Sequence, residues 1–151
     1  VLFGIINCCM NPVPFVSADE AVRLIQSGDR VFIHGSAATP QTLLGALANN
    51  CSHLRNVELI AVSTLGPLEI AKPAYKEHFF FNSLFVSENI REAVNGENGD
   101  YIPIFLSEIS RLFDKGILPI DVALIHVSPP DKHGFCSLGT SVDVAKSAVK
   151  H

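Results

Sequence analysis

A chain of 151 residues, 48% hydrophobic and 17% charged, can bury one sizeable core and reads as one domain or part of a larger protein. Its net charge of −4, without any Lys/Arg cluster, argues against a nucleic-acid or membrane-surface role. Cys8, Cys9, Cys51 and Cys136 are irregularly spaced with no C-x-x-C, which disfavours a disulfide scaffold or zinc ribbon and points to a reduced, intracellular protein.

The opening VLFGIINCCMNPVPF is apolar yet too short to span a bilayer, and it lacks the basic segment of a signal peptide. With Val1 in place of methionine, residues 1–16 are expected to be a processed leader or an added segment. Residues 1–14 carry no functional argument, and residues 17–151 are expected to form the domain. At the far end, SVDVAKSAVKH stops in helical rhythm with no capping glycine, so the chain is expected to be a fragment.

Between the ends, strand and helix patterns alternate. SADEAVRLIQSGDR places Glu20 three residues after Ser17, the spacing of a capping box. Ala21, Leu24 and Ile25 make the apolar face of that helix, and Gly28 ends it. RVFIHG (residues 30–35) is a short strand feeding a second helix, with Thr39 as cap and Pro40 at the first helical position. VELIAVS (57–63) and FFFNSLFV (79–86) are further strands, and Phe79, Phe80, Phe81 and Phe85 read as core. Ser87 is expected to cap the helix in SENIREAVNG, which ends at Gly96. YIPIFL (101–106) carries a proline, so it is an edge strand or irregular. SEISRLFDKG follows as a short helix, where Glu108 reads equally as a catalytic carboxylate or as half of a solvated pair with Arg111. DVALIHV (121–127) is the clearest buried strand. This alternation predicts an α/β fold, an open, mainly parallel sheet with flanking helices.

Ligands of open parallel sheets lie beyond the carboxyl ends of the strands, and two loops fall there. HGSAATPQ (34–41) runs from a strand into a helix start, where free N–H groups favour an anion such as a carboxylate or phosphate. A tight, well-packed turn explains the same residues equally well. The loop matches neither G-x-G-x-x-G nor the lysine-bearing P-loop pattern. The second loop, HVSPPDKHGFCSLGTSVD (126–143), is stiffened by Pro129 and Pro130. Gly134 and Gly139 permit close approach or positive φ, and Thr140 with Asp143 suggests a helix cap. His126, His133 and Cys136 lack a fourth partner at zinc spacing, so no metal is expected. Cys136 reads more simply as a small buried thiol than as a nucleophile paired with His133.

SADEAVRLIQSGDRVFIHGSAATPQTLLGAL, NIREAVNGENGDYIPIFLSEISRLF and DVALIHVSPPDKHGFCSLGTSVD occur in this order, and together they resemble the acetyl-CoA hydrolase/transferase family. The resemblance covers residues 17–151 and matches the amino-terminal half of two-domain CoA-transferases of the acetate or 4-hydroxybutyrate type. It implies two similar open α/β domains with the active site between them. It also implies that a glutamate in the absent carboxyl-terminal half attacks the thioester of an acyl-CoA and passes through a glutamyl-CoA intermediate. No catalytic residue is therefore expected in this chain, and Glu108 is not nominated.

By the same resemblance, Gly35, Ser36, Ala37 and Gln41 in the first loop are expected to bind substrate. Ser128, Pro129, Asp131, Gly134 and Ser137 in the second would form the neighbouring wall. Alanines stand in HGSAATPQ where related transferases can carry glycine or a polar side chain, which leaves pocket size and polarity open. The expected ligands are a coenzyme A thioester, as substrate rather than resident cofactor, and a small carboxylate. The expected partners are the protein's own carboxyl-terminal domain and further copies in a homo-oligomer, with no nucleic acid and no membrane. The expected location is the cytoplasm, or the mitochondrial matrix in a eukaryote. Acyl-CoA hydrolysis, or acyl-CoA binding without catalysis, are the alternatives, and the chain alone is expected to be inactive.

Overall fold

The computed structural model describes residues 3–4 and 15–150. Most of the segment expected as a leader, including Cys8 and Cys9, lies outside them. In chain order the elements are β1 (Phe3–Gly4), β2 (Phe15–Val16), α1 (Ala18–Val22), β3 (Arg30–Ile33), α2 (Gln41–Asn50) and β4 (Val57–Ala61). There follow β5 (Phe79–Ser83), α3 (Arg91–Asn95), β6 (Gly99–Tyr101), α4 (Leu106–Asp114), β7 (Val122–Leu124) and α5 (Ala145–Ala148). β1 and β2 pair antiparallel in a small ribbon. The other strands form one parallel sheet in the order β6-β5-β4-β3-β7. The α/β class and the mainly parallel sheet are as the alternation implies.

The strand order records how the chain is wound. From β3 the chain steps through β4 and β5 to β6, then α4 carries it back to lay β7 on the other side of β3. Parallel crossovers are right-handed, so reversing the direction of travel must switch the face on which the connecting helix packs. It does. Val31, Ile33, Leu59 and Phe81 bury against Leu43, Leu44 and Leu47 of α2 and Ala93 of α3 on one face. On the other, Phe32 and Ile60 meet Ile109 and Phe113 of α4 and Ala145 and Ala148 of α5. Phe32 and Phe113 meet edge to face, their ring centroids 5.7 Å apart. β3, with Val31, Phe32 and Ile33 all fully buried, is covered on both faces, which is why RVFI shows no polar alternation.

Several local expectations need correction. The segment 121–127 is not a deeply buried strand: β7 spans Val122–Leu124, pairs with β3 alone, and buries only Leu124. Asp121 instead ties the start of β7 to β3, its Oδ2 accepting the Arg30 N–H at 2.8 Å. A short apolar run looks the same at a sheet edge as at its centre. Phe79 and Phe81 are core, whereas Phe80 is 38% and Phe85 61% exposed. Phe80 points to the face on which α4 and α5 cover β3 and β4, and it lies outside their cluster.

At the first helix the capping box forms: the Ser17 side chain accepts the Glu20 N–H and Glu20 reaches back to the Ser17 backbone. α1 is only one turn and a half long, and Leu24 is exposed rather than buried. Gly28 follows at φ +86°. α2 begins at Gln41 with Pro40 at its cap position, and neither Thr39 nor Ser87 caps through its side chain. YIPIFL divides: Tyr101 ends the edge strand β6, and residues 102–105 are irregular before α4. No helix of the described residues is long and apolar enough to cross a membrane.

Candidate functional site

Because the chain leaves β3 toward β4 on one side and returns to β7 on the other, the carboxyl ends of β3 and β7 form the topological switch point, where open α/β sheets hold ligands. Both loops singled out in the sequence start there. His34, the residue after β3, is fully buried between them. Its backbone N–H extends the ladder to Leu124 at 3.0 Å. Its ring accepts the His126 N–H on Nδ1 at 3.2 Å, so Nε2 carries the hydrogen and meets the Ser141 carbonyl oxygen. The partners of this one side chain stand at the two ends of the second loop.

Gly35 is buried, and a Cβ there would lie 3.0 Å from the Ser63 carbonyl oxygen and 3.7 Å from Asp143 Oδ2, so a side chain would press on the Ser63 backbone. Ser36 follows in the left-handed region, φ +52°, a conformation that costs a non-glycine residue about 1–2 kcal/mol. Its surroundings hold it there. The Ser36 N–H donates to the Ser63 carbonyl at 2.9 Å, and the two serine hydroxyls meet at 3.0 Å. Ala37 is exposed at the turn. Gln41, at the start of α2, uses its amide Nε2 to donate to the Leu65 carbonyl at 2.5 Å. Gly66 sits at φ +89°, where an L side chain is strained, and a Cβ there would come within 2.8 Å of that same nitrogen, the movable end of the Gln41 side chain.

The loops after β3, β4 and β5 are joined by a polar lattice that the sequence reading missed. Thr39 Oγ1 donates to the Ser36 carbonyl at 2.7 Å and accepts the Leu65 N–H at 3.0 Å. Buried Thr64 donates to Asn89 Oδ1 at 2.9 Å, and its N–H reaches Ser87 Oγ at 3.3 Å. Ser87 also donates to Asn89, whose Nδ2 returns to the Gly66 carbonyl at 2.9 Å. Ser63, Thr64, Ser87 and Asn89 thus hold the rim of the sheet. The available signal was the recurrence of Ser, Thr and Asn just past each apolar strand run.

Residues 126–143 form an exposed excursion that is ordered by its own bonds. Ser128 donates its N–H to the Ser137 carbonyl and accepts the Ser137 N–H on its hydroxyl, each at 2.9 Å. Asp131 Oδ1 accepts the N–H groups of His133 and Phe135 at 2.8 and 2.9 Å. Gly134, at φ +84°, and Gly139, at φ +69°, make the turns. Positive φ is what Gly134 supplies here; close approach is not, because nothing lies within 4 Å of the position a Cβ would take. Ser128, Pro129, Asp131, Gly134 and Ser137 are all exposed. So is Cys136, which is therefore not a buried thiol. Buried Cys51 is the opposite case, its pKa raised chiefly by desolvation. Neither Thr140 nor Asp143 is the cap of the last helix, whose N-cap is Val144, although Asp143 Oδ1 accepts the Val144 and Ala145 N–H groups at 2.6 and 3.3 Å.

The structure brings the bases of the two loops together through His34 and beside Gly35. Among the described residues no hydrogen bond joins residues 127–140 to residues 35–41. No group of three or more His, Cys, Asp or Glu among them is placed to hold a metal ion.

A doubly wound α/β domain, with a polar rim and a rigid exposed loop at its switch point, is the class defined by this fold and site. A model of the Acetyl-CoA hydrolase/transferase N-terminal domain matches residues 12–151, and the chain belongs to that family. It is 43% identical over 137 residues to the succinyl-CoA:acetate/propanoyl-CoA:succinate CoA transferase of Fasciola hepatica, and 39% identical over 135 residues to the 4-hydroxybutyrate coenzyme A transferase of Clostridium kluyveri. Each match covers 89% of this chain but only 28% and 32% of those proteins. Among solved structures, the 4-hydroxybutyrate CoA-transferase of Porphyromonas gingivalis superposes with a TM-score of 0.70 at 26% identity, over 89% of this chain and 30% of that one. RipA of Yersinia pestis gives 0.72 at 28% identity, over 82% and 31%.

Proposed function

We propose that this chain is the substrate-positioning domain of a CoA-transferase that moves CoA between an acyl-CoA and a small carboxylate. The nucleophile is a glutamate in a second domain. Its carboxylate attacks the thioester carbonyl, giving an acyl–glutamyl anhydride and CoA thiolate. The thiolate attacks the glutamyl carbonyl, releasing the acyl group as a carboxylate and leaving a glutamyl-CoA thioester. An acceptor carboxylate repeats the two steps in reverse order, so that a new acyl-CoA leaves and the glutamate is restored. Splitting one difficult exchange in this way is the benefit of covalent catalysis.

The observation that carries the reading is the placement of both family loops at one switch point, on a rim whose donors and acceptors are fixed by neighbouring strands. Gly35, Ser36, Ala37 and Gln41 form the floor beside the acyl carboxylate. Ser128, Pro129, Asp131, Gly134 and Ser137 form the wall that meets the second domain and CoA. Their exposure and internal hydrogen bonding suit a rigid surface awaiting a partner. Relatives named for succinate, acetate, propanoate and 4-hydroxybutyrate support small acyl groups. On this reading the protein works as a homo-oligomer in the cytoplasm, or in the mitochondrial matrix in a eukaryote.

The test is to incubate the full-length protein with an acyl-CoA but no acceptor and map the resulting adduct by mass spectrometry. The expected result is CoA on one glutamate outside residues 1–151, discharged on adding acetate. CoA-dependent acylation of Cys136, or release of free CoA with no adduct and no transfer to acetate, contradicts the transferase reading; the latter outcome favours hydrolysis.

A further inference from the structure

We infer that His34 is a positioning residue whose ring clasps the base of the second loop and sets its distance from the first. The inference rests on the transferase reading and adds a role for a side chain that no part of that chemistry uses. His34 is fully buried, and a buried imidazole with both nitrogens engaged is held in one orientation. Its Nδ1 accepts from the backbone of His126, ninety-two residues away in sequence, and its Nε2 donates to the carbonyl of Ser141, one hundred and seven residues away.

Those two backbone groups are the entry and exit of the exposed excursion. No other side chain of the first loop or of β3 bonds to either one. The next residue is Gly35, packed against Ser63 and beside Asp143, and after it comes Ser36, bonded to Ser63. One ring therefore connects the hinge of the wall to the floor. A floor and wall that must hold two reacting groups are sensitive to small shifts, because a misplacement of about 1 Å can cost roughly a hundredfold in rate.

The substitutions divide the clasp. His34→Asn leaves an acceptor near the Nδ1 position, His34→Gln a donor near the Nε2 position, and His34→Ala leaves neither. Leu54→Ala, in the core away from this rim, serves as the packing control, since Leu54 is fully buried. The measurements on the full-length protein are the melting temperature, kcat and KM for CoA transfer from acetyl-CoA to a second carboxylate, and the hydrogen-exchange rate of the His126 amide.

The expected result is that the Asn and Gln variants stay folded and lose roughly tenfold or more in kcat with a smaller change in KM. His34→Ala should lose more, while Leu54→Ala melts lower with kcat kept. The His126 amide should be protected in the wild type and in His34→Asn, and exposed in His34→Ala. Unchanged kcat in the Asn and Gln variants, or loss of kcat in Leu54→Ala that matches theirs at equal melting temperature, overturns the positioning role. A wild-type full-length protein that transfers no CoA overturns the transferase reading, and the role assigned to His34 falls with it.

Discussion

Gly134 has φ +84° and open space where a side chain would start, so a substitution there is opposed by the backbone alone. Valine would cost about 1–2 kcal/mol for the left-handed conformation, relieved by distorting an exposed turn. The expected outcome in the full-length enzyme is a clear fall in turnover for Gly134→Val with little change in melting temperature or circular dichroism. Unchanged turnover would make the loop an ordinary surface turn. The cysteines separate just as cleanly. Cys136 is exposed, while Cys51 is buried with a raised pKa and donates its thiol hydrogen to the Ala48 carbonyl at 3.3 Å. Brief treatment of the native protein with a thiol reagent, followed by peptide mapping, should label Cys136 and leave Cys51 unmodified.

Among the elements, α1 depends on its cap. The carboxyl of Glu20 is held below its usual pKa, first by the Ser17 backbone N–H and then by the Ser17 hydroxyl. A carboxylate with a lowered folded pKa adds stability above its unfolded value and loses it as pH falls through the folded one. Glu20→Gln should therefore lower stability modestly at neutral pH, where the carboxylate contribution is fully present, and converge on the wild type as pH falls below about 4.5, a flatter acid limb that acid titration followed by circular dichroism will read. In the rim lattice, Thr64→Val removes the hydroxyl that donates to Asn89 and lies 3.2 Å from the Ser87 hydroxyl, and should cost about 1–2 kcal/mol in denaturant unfolding.

The capping box, the buried strand β3 and the order of elements are all readable in the sequence, because capping spacing and apolar runs are local signals. The runs at 121–127 and 79–86 imply a buried strand and a fully buried Phe80 and Phe85, whereas β7 lies at the sheet edge and both phenylalanines are exposed. Which strand ends at the edge, and how far α4 and α5 reach over the sheet, depends on packing that no local pattern records. His34 shows the limit most plainly. Its residue type is visible beside Gly35, but its partners lie far along the chain, and only the winding of the sheet brings them to it.

At the scale of the whole molecule, the winding reverses at β3 and places both conspicuous loops on one edge. The surface leaves Phe85, Phe105, Leu106 and Phe135 between 59% and 77% exposed, large apolar side chains that a partner would cover. Prepared by itself at about tens of micromolar, a range in which exposed apolar surface drives association, the chain should sediment with concentration-dependent self-association. A clean monomer would argue that this surface has no partner. The central claim is that these residues position substrates and do not react with them. Its most direct measurement is CoA exchange: residues 1–151, and separately the full-length protein, are incubated with acetyl-CoA and a second carboxylate, and both CoA esters and free thiol are quantified. Removing a covalent nucleophile commonly costs several orders of magnitude in rate, so the account predicts exchange by the full-length protein and only background from residues 1–151. Robust turnover by residues 1–151 alone would contradict it and make Cys136 the first residue to replace.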